Sequence, residues 1–235
     1  MIIIGGDSNF DQSYYTKEGI DVTVWTNKIS TENVNVSKAG YSNLQIKDAV
    51  MNTITKNEHD IEHVYVFWSE WSRIGIPYAT QYHDYLSRPI YGRSRPIAEE
   101  RKRWILANQM ISDVDIHTNQ LIDTNLNIFI AMESFLNQQK IPYTFYQTLP
   151  PFNFKSIEHE HKFTQRLIKK PQFNYITWEN FWGWPIIKSL NGTNLYAYMK
   201  NQLNDDIAIS KSDSHMNQKA HDFLANNMVD NRLKL

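Results

Sequence analysis

The sequence contains no cysteine. A chain without cysteine can form no disulfide framework, no thiolate metal site and no thiol nucleophile. Glycine and proline are also sparse, with 8 of each among 235 residues, and no low-complexity or fibrous pattern is present. Any catalytic chemistry must therefore come from hydroxyl, imidazole and carboxylate groups.

An excess of charge of either sign is missing as well. The chain carries 24 Lys and Arg against 25 Asp and Glu, a formal net charge of −1. This balance gives no global electrostatic reason to bind nucleic acid or an anionic membrane, although basic residues cluster locally between Arg88 and Arg103. No run approaches the roughly 18 apolar residues of a spanning helix, and the isoleucines at 2–4 lack the length and basic flank of a signal peptide. We therefore expect a cytoplasmic protein that neither inserts into a membrane nor binds nucleic acid.

What is present is typical of a folded globular protein, with 41% hydrophobic and 13% aromatic residues. The length favours a single domain over 1–235. Runs of β-branched and aromatic residues predict strands over 2–4, 21–26, 63–68 and 141–147. Helical spacing of apolar residues predicts a helix over 42–55 capped by Ser42, helical structure within 97–140, and a last helix over 216–228. Strands that alternate with helices predict an α/β fold with helices on both faces of the sheet.

Two stretches rich in aromatic residues, proline and glycine fit this alternation poorly. They predict long loop insertions near 73–96 and 150–192, and loops of this length are usually functional. Within the second, His159 and His161 would share one face if the segment were a strand. No third ligand with a recognised spacing accompanies them, so no metal site is predicted.

Polar residues stand where an α/β sheet binds its ligands, beyond the carboxyl ends of the strands. Asp7 and Ser8 follow the first predicted strand, and Asp213 and His215 precede the last predicted helix. A serine nucleophile needs a base to take its proton and an acid to orient that base, and these residues supply the three types. Spacing alone does not show that they meet, because Ser8 and His215 lie at opposite ends of the chain.

Two blocks, GGDSN at 5–9 and SDSHMNQKAHDFLA at 212–225, resemble those of the SGNH, or GDSL-like, hydrolase family. Members begin with a strand and a Gly-Asp-Ser block and end with an acid and a histidine before the last helix. The resemblance implies a three-layer α/β/α, flavodoxin-like fold with a central, mostly parallel sheet of about five strands. It implies that Ser8 is the nucleophile, His215 the general base and Asp213 the acid that orients it. No metal or organic cofactor is implied.

The oxyanion hole of the family combines the backbone N–H of the serine, that of a glycine after the second strand, and an Asn side chain after the third. Ser8 and Gly40 match the first two donors. Where the family has Gly-x-Asn-Asp, this chain has Trp-Ser-Glu-Trp at 68–71. We expect Glu70 to turn away from a developing oxyanion or to pair with an arginine. The candidates for the third donor are Asn43, Ser69 and Arg73.

The function that follows from the resemblance is hydrolysis of an ester, by a Ser-His-Asp triad and an acyl-enzyme. The substrate would be a small-molecule or carbohydrate ester, with O-acetyl groups, small acyl esters and lipids all open. Trp68, Trp71 and Arg73 are the candidate substrate-binding residues. The alternative is a catalytically weakened binding protein of the same fold, which would recognise a glycan or a protein partner through its aromatic loops. The oligomeric state is left open.

Overall fold

The computed structural model describes residues 1–28, 32–57, 60–71, 73, 114–151, 154, 156–183, 190 and 193–228. Five strands form the central sheet: β1 Ile2–Gly5, β2 Asn33–Asn35, β3 His63–Trp68, β4 Tyr143–Gln147 and β5 Phe181–Trp182. They pair in the order β2-β1-β3-β4-β5, and every pairing is parallel. This order is that of flavodoxin-like doubly wound sheets, which bind ligands beside the first strand, where the chain reverses its direction of winding.

Six α-helices are described: α1 Gln12–Lys17, α2 Asn43–Lys56, α3 Val114–Gln138, α4 Ile157–Ile168, α5 Leu195–Gln202 and α6 Gln218–Met228. A separate antiparallel hairpin, β6 Ala208–Ser210 and β7 Asp213–Met216, precedes α6. Over the described part of the chain, none of these helices has the length and apolarity needed to cross a membrane.

The sheet is covered on both faces, as β3 shows. Val64, Val66 and Trp68 belong to one core, which includes residues of α2, α3 and α4. Tyr65 and Phe67, which alternate with them, belong to a second core with residues of α5 and α6. Because successive side chains of a strand point to opposite faces, two cores mean helices on both sides of one sheet. The predicted three-layer α/β/α fold is confirmed.

The strand predicted at 21–26 is wrong. The side chain of Gln12 forms hydrogen bonds with the backbone of this segment: Gln12 Nε2 donates to Val22 O at 2.8 Å, and Val24 N donates to Gln12 Oε1 at 2.9 Å. The segment then enters a 3₁₀ turn at Trp25–Asn27 instead of a sheet. The edge of the sheet is β2, whose sequence NVN is too short and too polar for an apolar pattern to reveal.

The predicted loop insertion near 150–192 forms secondary structure over much of its described part. It contains α4 and β5, joined by 3₁₀ turns at Pro171–Tyr175 and Trp178–Asn180. The helix forms because the Ser156 side chain caps it and Phe163 and Leu167 bury one face at helical spacing. On a helix, residues two apart point about 200° from each other, so His159 and His161 do not share a face.

Other predictions fall outside the described residues. The loop near 73–96 is described only at residue 73, and the basic cluster at 88–103 and the predicted helical residues at 97–113 are not described. The last helix begins at Gln218, two residues later than expected, because Met216 pairs with Ala208 as part of β7.

Candidate active site

The turn after β1 places Ser8 at the carboxyl edge of the sheet. A methyl group on Gly5 would lie 2.3 Å from Val50 Cγ2, so glycine lets α2 pack directly on this strand. Asp7 is fully buried and caps the 3₁₀ turn Ser8–Phe10 by accepting from Asn9 N at 3.0 Å. Because Asp7 is the cap, the hydroxyl of Ser8 is left for another partner.

The hairpin β6–β7 is held against this turn by side chains. Asn9 Oδ1 accepts a hydrogen bond from Met216 N at 3.2 Å, and this bond is buried. The Asn9 amide also donates to Asp7 Oδ1 at 3.2 Å. On the other side, the Tyr196 hydroxyl donates to the carbonyl of Ser214 at 2.8 Å. The residue between Ser214 and Met216 is therefore fixed from both ends.

That residue is His215, and its imidazole faces Ser8. Its Nε2 lies 2.9 Å from Ser8 Oγ, although the two residues are 207 positions apart in the chain. Asp213 Oδ1 lies 2.6 Å from His215 Nδ1 and 3.0 Å from the backbone N of the same histidine. An ionised carboxylate only accepts, so Nδ1 carries the proton and Nε2 accepts from the serine hydroxyl. The structure thus brings the three predicted residues into one hydrogen-bonded chain.

Tyr14 contacts this series of hydrogen-bonded residues, and the sequence did not predict that contact. Its hydroxyl oxygen lies 3.0 Å from His215 Nδ1, and the two rings are tilted by 31° with centroids 4.2 Å apart. Burial, the Asp213 carboxylate and Glu18 raise the pKa of Tyr14 to about 12, so its phenol is neutral at neutral pH. No spacing or motif in the sequence signals a contact between residues 14 and 215.

The backbone segment 38–40 lies against the Ser8 turn. Lys38 N donates to Gly6 O at 3.2 Å, and Ala39 N donates to Asp11 Oδ2 at 2.9 Å. Gly40 has a φ of +82°, in the left-handed region that glycine enters without steric cost. Neither the Gly40 N–H nor the Ser8 N–H donates to a group in the described part of the chain. Among the described residues, both predicted backbone donors are therefore left without an acceptor.

Two predicted candidates for the third donor are already engaged. The Asn43 amide donates to Asn125 Oδ1 at 2.7 Å and to Ser69 O at 3.3 Å, and its oxygen accepts from Ser69 N at 2.8 Å. The Ser69 hydroxyl donates to Asp7 Oδ2 at 2.8 Å. Asn43 is 2% exposed and Ser69 is fully buried, so water does not compete for these bonds. This corrects the prediction of Asn43 and Ser69 as oxyanion donors, because their polar hydrogens serve the protein's own interior.

The third candidate, Arg73, lies between two carboxylates. Its Nη1 is 3.4 Å from Asp7 Oδ2, and its Nε is 3.7 Å from Glu70 Oε2. The expected pairing of Glu70 with an arginine is therefore confirmed. Burial raises the pKa of Glu70, the positive charge of Arg73 opposes this, and Asp7 adds to it. Two carboxylates offset the single positive charge of Arg73, and this disfavours binding of an anionic substrate. The guanidinium carries five N–H donors in all, so Arg73 remains a candidate for the third oxyanion donor.

The two tryptophans predicted to bind substrate belong to the core. Trp68 is fully buried between Phe129 and Phe145, with ring centroids 4.8 and 5.3 Å away. Trp71 is 2% exposed, and its Nε1 donates to Gln147 Oε1 at 2.9 Å. A side chain that is at most 2% exposed has no face to offer a ligand, so this prediction is corrected for both residues. Trp68 ends β3 and Trp71 follows it, and both positions reflect packing of the sheet on α3 and α4.

His221, on α6, is a second histidine of the same region, and it is fully buried. Its Nδ1 accepts from Trp25 N at 3.4 Å, and its Nε2 lies 3.2 Å from the Tyr15 hydroxyl. Burial, helped by the charge of Lys28, lowers the pKa of His221 to about 3. Within the described ranges, no group of three or more His, Asp or Glu side chains could hold a metal ion.

Comparisons with known proteins give similarity to solved structures only. No protein-family model matches the chain, and no curated protein matches it either. Among solved structures, it is similar to the psychrotrophic esterase EstA from Pseudoalteromonas sp., in a crystal structure inhibited by monoethylphosphonate. The TM-score is 0.46 and the identity is 14%, over 97% of this chain and 94% of that chain. The function proposed for the chain therefore depends on its own residues.

Proposed function

We propose that the chain is a serine hydrolase of the SGNH type that cleaves an ester through an acyl-enzyme. The observation that carries the proposal is the hydrogen-bonded chain from Ser8 Oγ to His215 Nε2, at 2.9 Å, and from His215 Nδ1 to Asp213 Oδ1, at 2.6 Å. A nucleophile, a base and an orienting acid in hydrogen-bond contact are the signature of nucleophilic catalysis at a serine.

The proposed reaction has two halves. Ser8 Oγ bonds to the ester carbonyl carbon while its proton moves to His215 Nε2, and the carbonyl oxygen takes up the negative charge. His215 then returns the proton to the leaving alcohol as the C–O bond breaks, which leaves an acyl group on Ser8. Water attacks this acyl group with His215 again as the base, and the acid product leaves with Ser8 restored. Asp213 holds the imidazole in the required tautomer throughout.

The N–H groups of Ser8 and Gly40 are the proposed oxyanion donors. Loss of a third donor costs on the order of 10²- to 10³-fold in turnover. With Asn43 and Ser69 engaged elsewhere, Arg73 is the one predicted candidate whose donors are not all accounted for. We therefore expect a slow hydrolase, acting on small or carbohydrate esters, unless Arg73 supplies that donor.

The test is covalent labelling with a fluorophosphonate, which reacts with an activated serine. We expect the purified protein to be labelled and the Ser8→Ala variant to lose the label, with hydrolysis of activated esters falling by at least about 10³-fold. Ser212→Ala is the matched control, because Ser212 is an exposed serine on the turn between β6 and β7, and it should retain labelling.

A folded, unlabelled protein without esterase activity would overturn the hydrolase proposal. That outcome would favour the alternative, a binding protein of the same fold. The binding-protein alternative is supported by the hydrogen bonds of Asn43 and Ser69. Their donors are engaged within the protein, so they cannot serve as the third donor of the oxyanion hole.

A further inference from the structure

We propose that Tyr14 is a positioning residue for His215. It contacts Nδ1, the ring nitrogen that does not face Ser8, and it stabilises the charged form of the imidazole. The inference rests on the proposed function, because it assigns Tyr14 a part in the work of the general base. Residue 14 lies outside the two sequence blocks, 5–9 and 212–225, that resemble those of the SGNH family.

The contact is double. The Tyr14 hydroxyl oxygen is 3.0 Å from Nδ1 of His215, and the phenol ring covers the imidazole with centroids 4.2 Å apart. Tyr14 lies on α1, whose first turn is fixed by Asp11, where the side chain accepts from Ser13 N at 2.9 Å. The helix that follows the Ser8 turn therefore also carries the residue that packs on the histidine.

The hydrogen bonds at His215 Nδ1 define the role of the Tyr14 hydroxyl. Nδ1 of His215 carries one hydrogen, and Asp213 Oδ1 is its nearer acceptor at 2.6 Å. The oxygen of Tyr14 is then a second acceptor of the same N–H, in a three-centred hydrogen bond. Burial and the Asp213 carboxylate, which raise the pKa of Tyr14 to about 12, keep the phenol neutral and able to play this part.

Both contacts favour the imidazolium over the neutral ring. An N–H becomes a stronger donor when its ring is charged, and the negative face of a phenol attracts a cation placed against it. In the proposed reaction, the imidazolium forms as Ser8 loses its proton. Interactions that strengthen at that point lower the barrier without tightening substrate binding.

The other groups that face His215 come from three elements. Asp213 shares its strand, Ser8 belongs to the 3₁₀ turn, and Tyr15 of α1 presents its ring edge-on with centroids 6.5 Å apart. In the described ranges, Asp213 is the one carboxylate within ion-pair distance of the imidazole. Removal of Tyr14 therefore leaves the acid in place and isolates the contribution of the phenol.

The decisive measurement is an NMR titration of the His215 ring, which needs no substrate. Variants Tyr14→Leu, which keeps apolar cover, and Tyr14→Phe, which keeps the ring, are compared with the parent, and His215→Asn identifies the signal. We expect Leu to move the titration midpoint of His215 toward lower pH by about half a pH unit, and Phe to move it less. Tyr175→Phe, at an exposed tyrosine, should leave the midpoint unchanged.

The kinetic counterpart is the pH dependence of kcat/KM for an activated ester. We expect about a twofold loss for Tyr14→Phe and about a threefold loss for Tyr14→Leu, in kcat and not in KM, with the acid limb displaced as in the NMR titration. An unchanged midpoint in both variants would overturn the role of Tyr14, even if activity fell. A parent protein that no fluorophosphonate labels would instead overturn the proposed hydrolase, while the titration would still decide the contact with His215.

Discussion

The substitution Asp213→Asn separates two things that the acid can do for His215. It can hold the tautomer by accepting the Nδ1 proton, and it can stabilise the imidazolium through its charge. In this structure one oxygen, Oδ1, accepts from both Nδ1 and the backbone N of His215, at 2.6 and 3.0 Å. Both partners are donors, so an asparagine would keep its amide oxygen in that place and turn its NH₂ outward. We therefore expect the tautomer to survive and only the charge to be lost.

The magnitude follows from that charge. A hydrogen bond to a charged group is worth about 1 kcal/mol more than a neutral one. The side chains of Asp213 and His215 are 28% and 24% exposed, so their Coulomb attraction is partly screened and adds roughly 1 to 2 kcal/mol. A total of about 2 to 3 kcal/mol corresponds to roughly a 10²-fold loss of kcat/KM. An amide turned the other way would force the wrong tautomer, for which losses reach about 10⁴-fold.

The assay is hydrolysis of a chromogenic ester at pH 7.5, together with the rate of fluorophosphonate labelling. Asp48→Asn is the matched control, because Asp48 is an exposed aspartate on α2 paired with the neighbouring Lys47. A loss near 10⁴-fold would refute the retained orientation of the amide. A loss below about fivefold would show that the charge of Asp213 does not support the base at all.

Two further predictions concern stability. Asp7→Asn removes the buried charge that Arg73 faces at 3.4 Å, whereas the amide can still form hydrogen bonds with Asn9 and Ser69. We expect the free energy of unfolding in urea to fall by about 2 kcal/mol, and an unchanged urea midpoint would contradict the ion pair. His221 has a pKa of about 3 in the folded protein against 6.5 unperturbed, so the unfolded chain binds the proton first. The contribution of His221 to stability should then fall as the pH drops from 6.5 toward 3, by up to about 1.4 kcal/mol per pH unit, and His221→Gln should reduce the slope in urea titrations by that amount.

Much of the fold is readable from local patterns. The β-branched run at 2–4 and the aromatic run at 63–68 predict buried strands because a parallel sheet is covered on both faces. The Ser42 cap and the apolar spacing over 42–55 predict α2 for the same kind of local reason. Patterns of this kind fail at 21–26, where a single side chain, Gln12, takes the hydrogen bonds that a strand needs.

For the candidate site, the sequence by itself determined the residue types and their order: a Gly-Asp-Ser turn after a strand, and an Asp and a His before the last helix. Only the tertiary structure decided that Ser8 and His215 meet across 207 residues, because the hairpin that carries the histidine is held by Asn9 and Tyr196. It also decided which donors are free. A hydrogen that is already donated to an interior acceptor is not free for a ligand, and which acceptor lies nearest depends on the packing of distant segments. That is why Asn43 and Ser69 are engaged in the interior while Tyr14 lies against the imidazole.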